Sequence, residues 1–150
     1  MAATLLDVNA LLALIWPEHE FHSQANAWFQ RNARQGWATC PITQSGFVRL
    51  VSSGSISKNA LKIGDALRLL DLNLAHPNHE FWPEEIGLTE AIGRFGKRLH
   101  GYRQITDAYL LGLAMHRKGK LATFDRSIAA LLPEGKRKTD WIVELSTPLS

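Results

Sequence analysis

Short apolar runs of strand length alternate along this chain with longer stretches of helical period, and that alternation constrains the fold more than any other feature. The strand-like runs lie at residues 2–6, 37–40, 80–82, 120–124 and 141–145. Between them, residues 9–15, 21–33, 43–51, 57–74, 89–97, 105–118 and 127–132 read as helices. Trp16-Pro17 ends the first helix, because proline lacks the N–H that a helix interior needs. Gly119 is placed as the C-terminal stop of 105–118, and Ser57, Thr89 and Thr106 stand where N-caps belong. Strands interleaved with helices indicate an α/β fold with a mostly parallel central sheet covered on both faces. Ligands in such folds sit at the carboxyl ends of the strands, so the acids at those ends are the residues to examine.

The size fits this reading, since 150 residues at 45% hydrophobic suit a single domain, 1–150, with a sizeable core. The apolar start has no basic leader and is interrupted by Asp7, so neither a signal peptide nor a membrane span is expected. A lone Cys40 excludes an internal disulfide framework and a cysteine-based zinc cage, and suits a reducing, cytoplasmic location. The net charge of +3 permits a nucleic-acid partner without requiring one. The cations are unevenly spread: Arg94, Lys97, Arg98, His100 and Arg103 crowd one segment, Arg117, Lys118 and Lys120 a second, and Lys136, Arg137 and Lys138 a third. Solvated helix ends and a phosphate-binding surface account for them equally well.

Three aspartates fall at junctions between elements. Asp7 closes the strand ATLL and opens a helix, and Asp125 closes KLATF before SIAALL. Asp107 lies in the first turn of ITDAYLLGLAMH, heading the stripe of Leu110, Leu111 and Ala114 that should face the sheet. Helix capping explains any one of them alone. Three carboxylates converging on one sheet edge would repel each other, and a hard divalent cation is the usual compensation. Oxygen-only ligands favour Mg²⁺ or Mn²⁺ over zinc, and such a site activates water and stabilises charge on a phosphoryl oxygen.

These segments are similar to those of PIN-domain ribonucleases, specifically the VapC-type toxins of bacterial toxin–antitoxin pairs. The resemblance rests on LLDVNALLAL, WATCPITQSGFVRL, RQITDAYLLGLA and LATFD, in that order, and covers nearly the whole chain. It implies a PIN-like three-layer αβα sandwich and hydrolysis of RNA phosphodiester bonds by a metal-activated water. Asp7, Asp107 and Asp125 would then be catalytic and hold the Mg²⁺ or Mn²⁺. It also implies a small VapB-type antitoxin as partner, and a homodimer. The family pattern usually carries a fourth acid, a Glu, where this chain has Gln44, which leaves a second metal in doubt. Arg49 matches a basic position of the pattern and could contact RNA phosphate or brace the acids. Asn9, Thr106 and Thr123 stand beside the acids, with supporting hydrogen bonds to ligands or RNA as their expected roles.

Other constellations are weaker. His19-x-x-His22 and His76-x-x-His79 have a metal-compatible spacing but no thiolate nearby. Gly93-Arg94-Phe95-Gly96 has the letters of a backbone-clamping GXXG loop, yet lacks the surrounding small domain and reads as a fraying helix end. The five tryptophans sit mainly in apolar periodic segments and belong to the core. A haloacid-dehalogenase-type nucleophile would need a second Asp two residues after the first, and position 9 is Asn. A receiver domain would need an acidic pair at the first strand. A catalytically weak PIN-like module that only binds a partner or nucleic acid is kept alive by Gln44.

Overall fold

The structure, a computed structural model, describes residues 3–145. Five short strands, β1 (Thr4–Leu6), β2 (Trp37–Thr39), β3 (His79–Phe81), β4 (Lys120–Thr123) and β5 (Ile142–Glu144), form one sheet in the order β3-β2-β1-β4-β5. Every neighbouring pair is parallel. The helices are α1 (Val8–Ile15), α2 (His22–Asn32), α3 (Pro41–Ser52), α4 (Ile63–Leu74), α5 (Leu88–Gly93), α6 (Ile105–His116) and α7 (Lys138–Trp141). Parallel strands need crossovers, and the helices supply them on both faces.

The period-2 geometry of a strand sends adjacent residues to opposite layers. Leu5 and Leu121 enter one core with Trp82, Phe95 and the buried residues of α6. Leu6 and Ala122 enter the other, with α1, Trp28, Trp37, Phe47 and Leu70. The result is the three-layer sandwich expected from the sequence, with an all-parallel sheet. Trp28, Trp37 and Trp82 are core residues as expected. Lys136 stacks its ammonium over Trp141, 5.5 Å from the ring centroid.

Several boundaries differ from the sequence reading. The first strand begins at Thr4, and Ala2 lies outside the described residues. α3 starts at Pro41, a first-turn position proline favours, with Thr43 Oγ1 accepting the Cys40 N–H. α4 starts only at Ile63, and Ser57 accepts the N–H of Asn59 in the preceding turn instead of capping a helix. Thr89 and Thr106 already lie inside α5 and α6, whose N-caps are Gly87 and Gln104. α6 ends at His116, and Lys118, at φ 59°, takes the left-handed position that a glycine usually fills. Gly119 is required for a different reason: a Cβ there would stand 2.4 Å from the Ala3 carbonyl oxygen and 2.8 Å from the Trp82 ring.

Two of these junctions position the carboxyl edge of the sheet. β1 and β4 pair with Leu6 opposite Ala122, so the residues leaving both strands emerge side by side. α6, a crossover helix returning against the strand direction, begins at that same edge. Gly46 of α3 lets α1 approach, since a Cβ there would meet the Val8 side chain at 2.6 Å.

Candidate metal and catalytic centre

Asp7 is the N-cap of α1. Its Oδ1 accepts the Ala10 N–H at 2.7 Å, while its own N–H donates to the Ala122 carbonyl of β4 at 3.1 Å. The side chain is only 6% exposed. Asp125 caps a short 3₁₀ turn, Arg126–Leu131, its Oδ1 accepting from Ser127 N–H (2.9 Å) and Ser127 Oγ (2.6 Å). Capping therefore explains two of the three aspartates locally. Asp107, half-buried in the first turn of α6, is not the N-cap, a place held by Gln104, whose side chain makes no cap hydrogen bond.

Thr123 joins two of the acids. Fully buried at the end of β4, its Oγ1 accepts the Asp125 N–H at 3.0 Å, and its hydroxyl favours the Asp7 anion. One hydroxyl thus stands between the chain leaving β4 and the acid leaving β1.

Electrostatics draw the three acids into one group. The Asp7 pKa is raised to about 7, mainly because burial disfavours its anion; the Thr123 and Ala10 hydrogen bonds oppose this, and the Asp107 and Asp125 carboxylates add to it. Asp107 is also pushed up, by burial first and then by Asp125. No positive side chain is among the groups that set the Asp7 titration. Among the described residues, no three His, Cys, Asp or Glu side chains are already gathered into a cluster of coordination size. Asp7 and Asp125 are engaged with their own cap donors, and like charges keep them apart. The donor set nonetheless suits a hard divalent cation: carboxylate oxygens with a hydroxyl beside them.

A family model for the PIN domain matches residues 4–131. The chain belongs to the PIN-domain family. Ribonuclease VapC38 of Mycobacterium tuberculosis is 42% identical over 145 residues, which cover 97% of this chain and 99% of that relative. Ribonuclease VapC44 of the same species is 40% identical over 134 residues, covering 89% and 94%. The solved structure of VapBC2 from Rickettsia felis, bound to a DNA fragment from their promoter, matches with a TM-score of 0.63 at 14% identity. That match covers 95% of this chain and 98% of the other, and it shows the fold.

The remaining residues singled out from sequence occupy distinct places in this PIN domain. Gln44 Nε2 donates to Thr39 Oγ1 at 2.9 Å, and that hydroxyl lies 2.8 Å from His79 Nε2, so the residue at the usual acid position is tied to the end of β2. Arg49, exposed on α3, has no ion-pair partner among the described residues. With Thr106, Val8, Ser45 and Glu84 it lines a cavity of about 330 Å³. Asn9 is exposed on α1, and its Oδ1 holds His19 Nε2 at 2.9 Å, tying down the turn after α1.

The histidine pairs are structural. His19 Nδ1 accepts the Phe21 N–H (3.0 Å), so Nε2 carries the proton given to Asn9. His22 Nδ1 donates to the Ala13 carbonyl at 2.7 Å. His76 Nδ1 accepts from Trp37 Nε1 and Asn78 N–H. Sequence reasoning missed Glu84, whose Oε1 accepts the Ile42 N–H at 3.1 Å in the first turn of α3. An acid just after the Phe81-Trp82-Pro83 end of a strand was the available signal.

Proposed function

We propose that this chain is a metal-dependent endoribonuclease, the toxin of a type II toxin–antitoxin pair, with Asp7, Asp107 and Asp125 as its catalytic, metal-holding residues. What supports this reading is the placement of three aspartates at the strand ends of a PIN domain, where Asp107 and Asp125 both push the Asp7 pKa up. The ribonuclease relatives, near 40% identity over most of the chain, support the reaction class.

A bound Mg²⁺ or Mn²⁺ would act there as a Lewis acid, making water a better nucleophile and offsetting charge on the phosphoryl oxygens. The chain's own residues set the stage. Asp7 is oriented by the Ala10 N–H. Burial keeps it out of bulk water, so its anion would act strongly on a cation that displaces its proton. Asp125 is fixed by Ser127, and Asp107 is free of cap duties to complete the set. Gln44 contributes no charge, which favours one cation over two. Arg49 and Thr106 line the adjoining cavity and are our candidates for contacts to RNA.

The proposed partner is a small VapB-type antitoxin, and the proposed assembly a homodimer. The exposed apolar residues Ile63 (64%) and Leu67 (48%) of α4, beside a groove along α3, support a protein partner. No described helix is long and apolar enough to cross a membrane. We place residues 1–150 in one domain and the protein in the cytoplasm.

The test is cleavage of a mixed pool of cellular RNAs with Mg²⁺, Mn²⁺ or EDTA, alongside Asp7→Asn. Discrete fragments that require metal and fall at least about a hundredfold in the variant are expected. Equal behaviour of wild type and variant in every metal would leave the aspartates as helix caps in a binding module.

A further inference from the structure

The three basic segments are not equivalent. In the second and third, Arg117 pairs with Glu85 at 2.6 Å and stacks over Trp82, and Lys138 pairs with Glu144 at 2.5 Å. The first segment carries Arg94, Lys97, Arg98 and Arg103, with no acid between Glu90 and Asp107. None of these four has an ion-pair partner among the described residues, and together they exceed the chain's whole net charge of +3.

This segment is held firmly in place. Phe95 is fully buried in the core against α6, and Leu99 packs on the same cluster. Gln104 Oε1 accepts the N–H groups of His100 (2.7 Å) and Gly101 (3.3 Å), closing the loop immediately before α6. On that closed loop Tyr102 is 81% exposed, more than any other large apolar or aromatic side chain described. Its neighbour Arg103 reaches back, Nε donating to the Tyr102 hydroxyl at 3.4 Å and its guanidinium lying 5.8 Å from the ring centroid. Asp107 follows four residues later in the first turn of α6.

From this arrangement we infer that the loop carrying Tyr102 is a single-stranded RNA platform, in which the Tyr102 ring stacks on a base and Arg94, Lys97, Arg98 and Arg103 track the phosphates of the strand leading to the carboxylate edge. The inference deepens the ribonuclease reading and rests on it. A ring exposed on a pinned loop loses little conformational freedom on stacking, and base stacking tolerates any sequence because every base has a π face. Unpaired cations give the complementary, salt-dependent term, since each one that neutralises a phosphate releases a counterion. An acidic protein segment would use the cations but would leave the aromatic face without a flat partner.

The experiment is binding of a short, fluorescein-labelled single-stranded RNA of mixed sequence to the full chain in EDTA, across a salt series, with cleavage in Mn²⁺ measured in parallel. Tyr102→Ala should weaken binding about tenfold with an unchanged salt slope, and Tyr102→Phe should restore it to within about twofold. Arg103→Ala should lower the salt slope by about one, whereas Arg34→Ala, at the opposite edge of the sheet, should leave it unchanged. Thermal midpoints equal to wild type verify that the exposed substitution leaves the fold intact. If wild type binds and cuts RNA and Tyr102→Ala does both equally well, the platform is refuted while the ribonuclease reading stands. If Tyr102→Ala changes only self-association, the face belongs to a second copy and the proposal fails. If wild type neither binds nor cuts RNA, both readings fall together.

Discussion

The two edges of the sheet differ in how they treat charge. At the carboxyl edge, Asp7, Asp107 and Asp125 act on one another, and burial adds to the strain on the first two. At the amino edge, a depression of about 330 Å³ is lined by Thr4, Asn32, Lys118, Lys120 and Asp140, so acid and base are mixed. Only at the carboxyl edge do acids raise one another's pKa, and that coupling, more than any cavity, marks the place where a cation and a phosphodiester would be useful.

The difference can be sharpened first by pH. Burial pushes the Asp7 pKa up to about 7, against 3.8 for a free aspartate, so between those values the folded protein holds a proton that the unfolded chain has released. The metal-free protein should therefore lose stability as pH rises from about 4 to about 7, by on the order of 4 kcal/mol from Asp7 alone. Asp107 shifts the same way and adds to the trend. Urea unfolding in EDTA across that range should show the decline, Asp7→Asn should remove most of it, and Mg²⁺ should restore stability at the alkaline end. A flat profile in wild type would erase the contrast between the edges.

At the amino edge the expected effects concern packing. Gly119→Ala drives a methyl against the Ala3 carbonyl and the Trp82 ring and should cost roughly 1–3 kcal/mol. Its cleavage rate per folded molecule should stay within about twofold of wild type, a pairing that denaturation curves and initial rates would check. The smallest change is expected from Asp140→Asn, within about 0.5 kcal/mol and without effect on cleavage, because a mixed, solvated edge does not depend on one carboxylate. A large loss of cleavage there would relocate the chemistry.

Much of this was legible in the sequence because periodicity and punctuation are local signals. The five strands and the helices between them were found where the apolar period changes, and the three aspartates stood out because each interrupts an apolar pattern at a junction. What escaped depends on contacts distant in the chain. Ser57 and Thr89 have cap chemistry, but α4 starts after the extended Lys62 and α5 after the extended Gly87, neither with a side-chain cap bond, so cap chemistry in the sequence did not set either start. Gly119 looked like a helix stop and proved to be a point of close approach to Ala3 and Trp82. Thr123 was noticed beside Asp125, but its influence on Asp7 requires the pairing of β1 with β4. The exposure of Tyr102 follows from Phe95 and Leu99 anchoring the loop on the core, which no window of sequence displays.

The pairing of Leu6 with Ala122 also has a consequence in time. Asp7 is made well before Thr123 and Asp125, and β4, which ends at Thr123, adds alongside β1 before β5 can pair with it. A growing chain can form α1 to α4 and begin its core well before the acid group exists. A nascent chain therefore lacks the acid group until β4 has been made and has paired with β1.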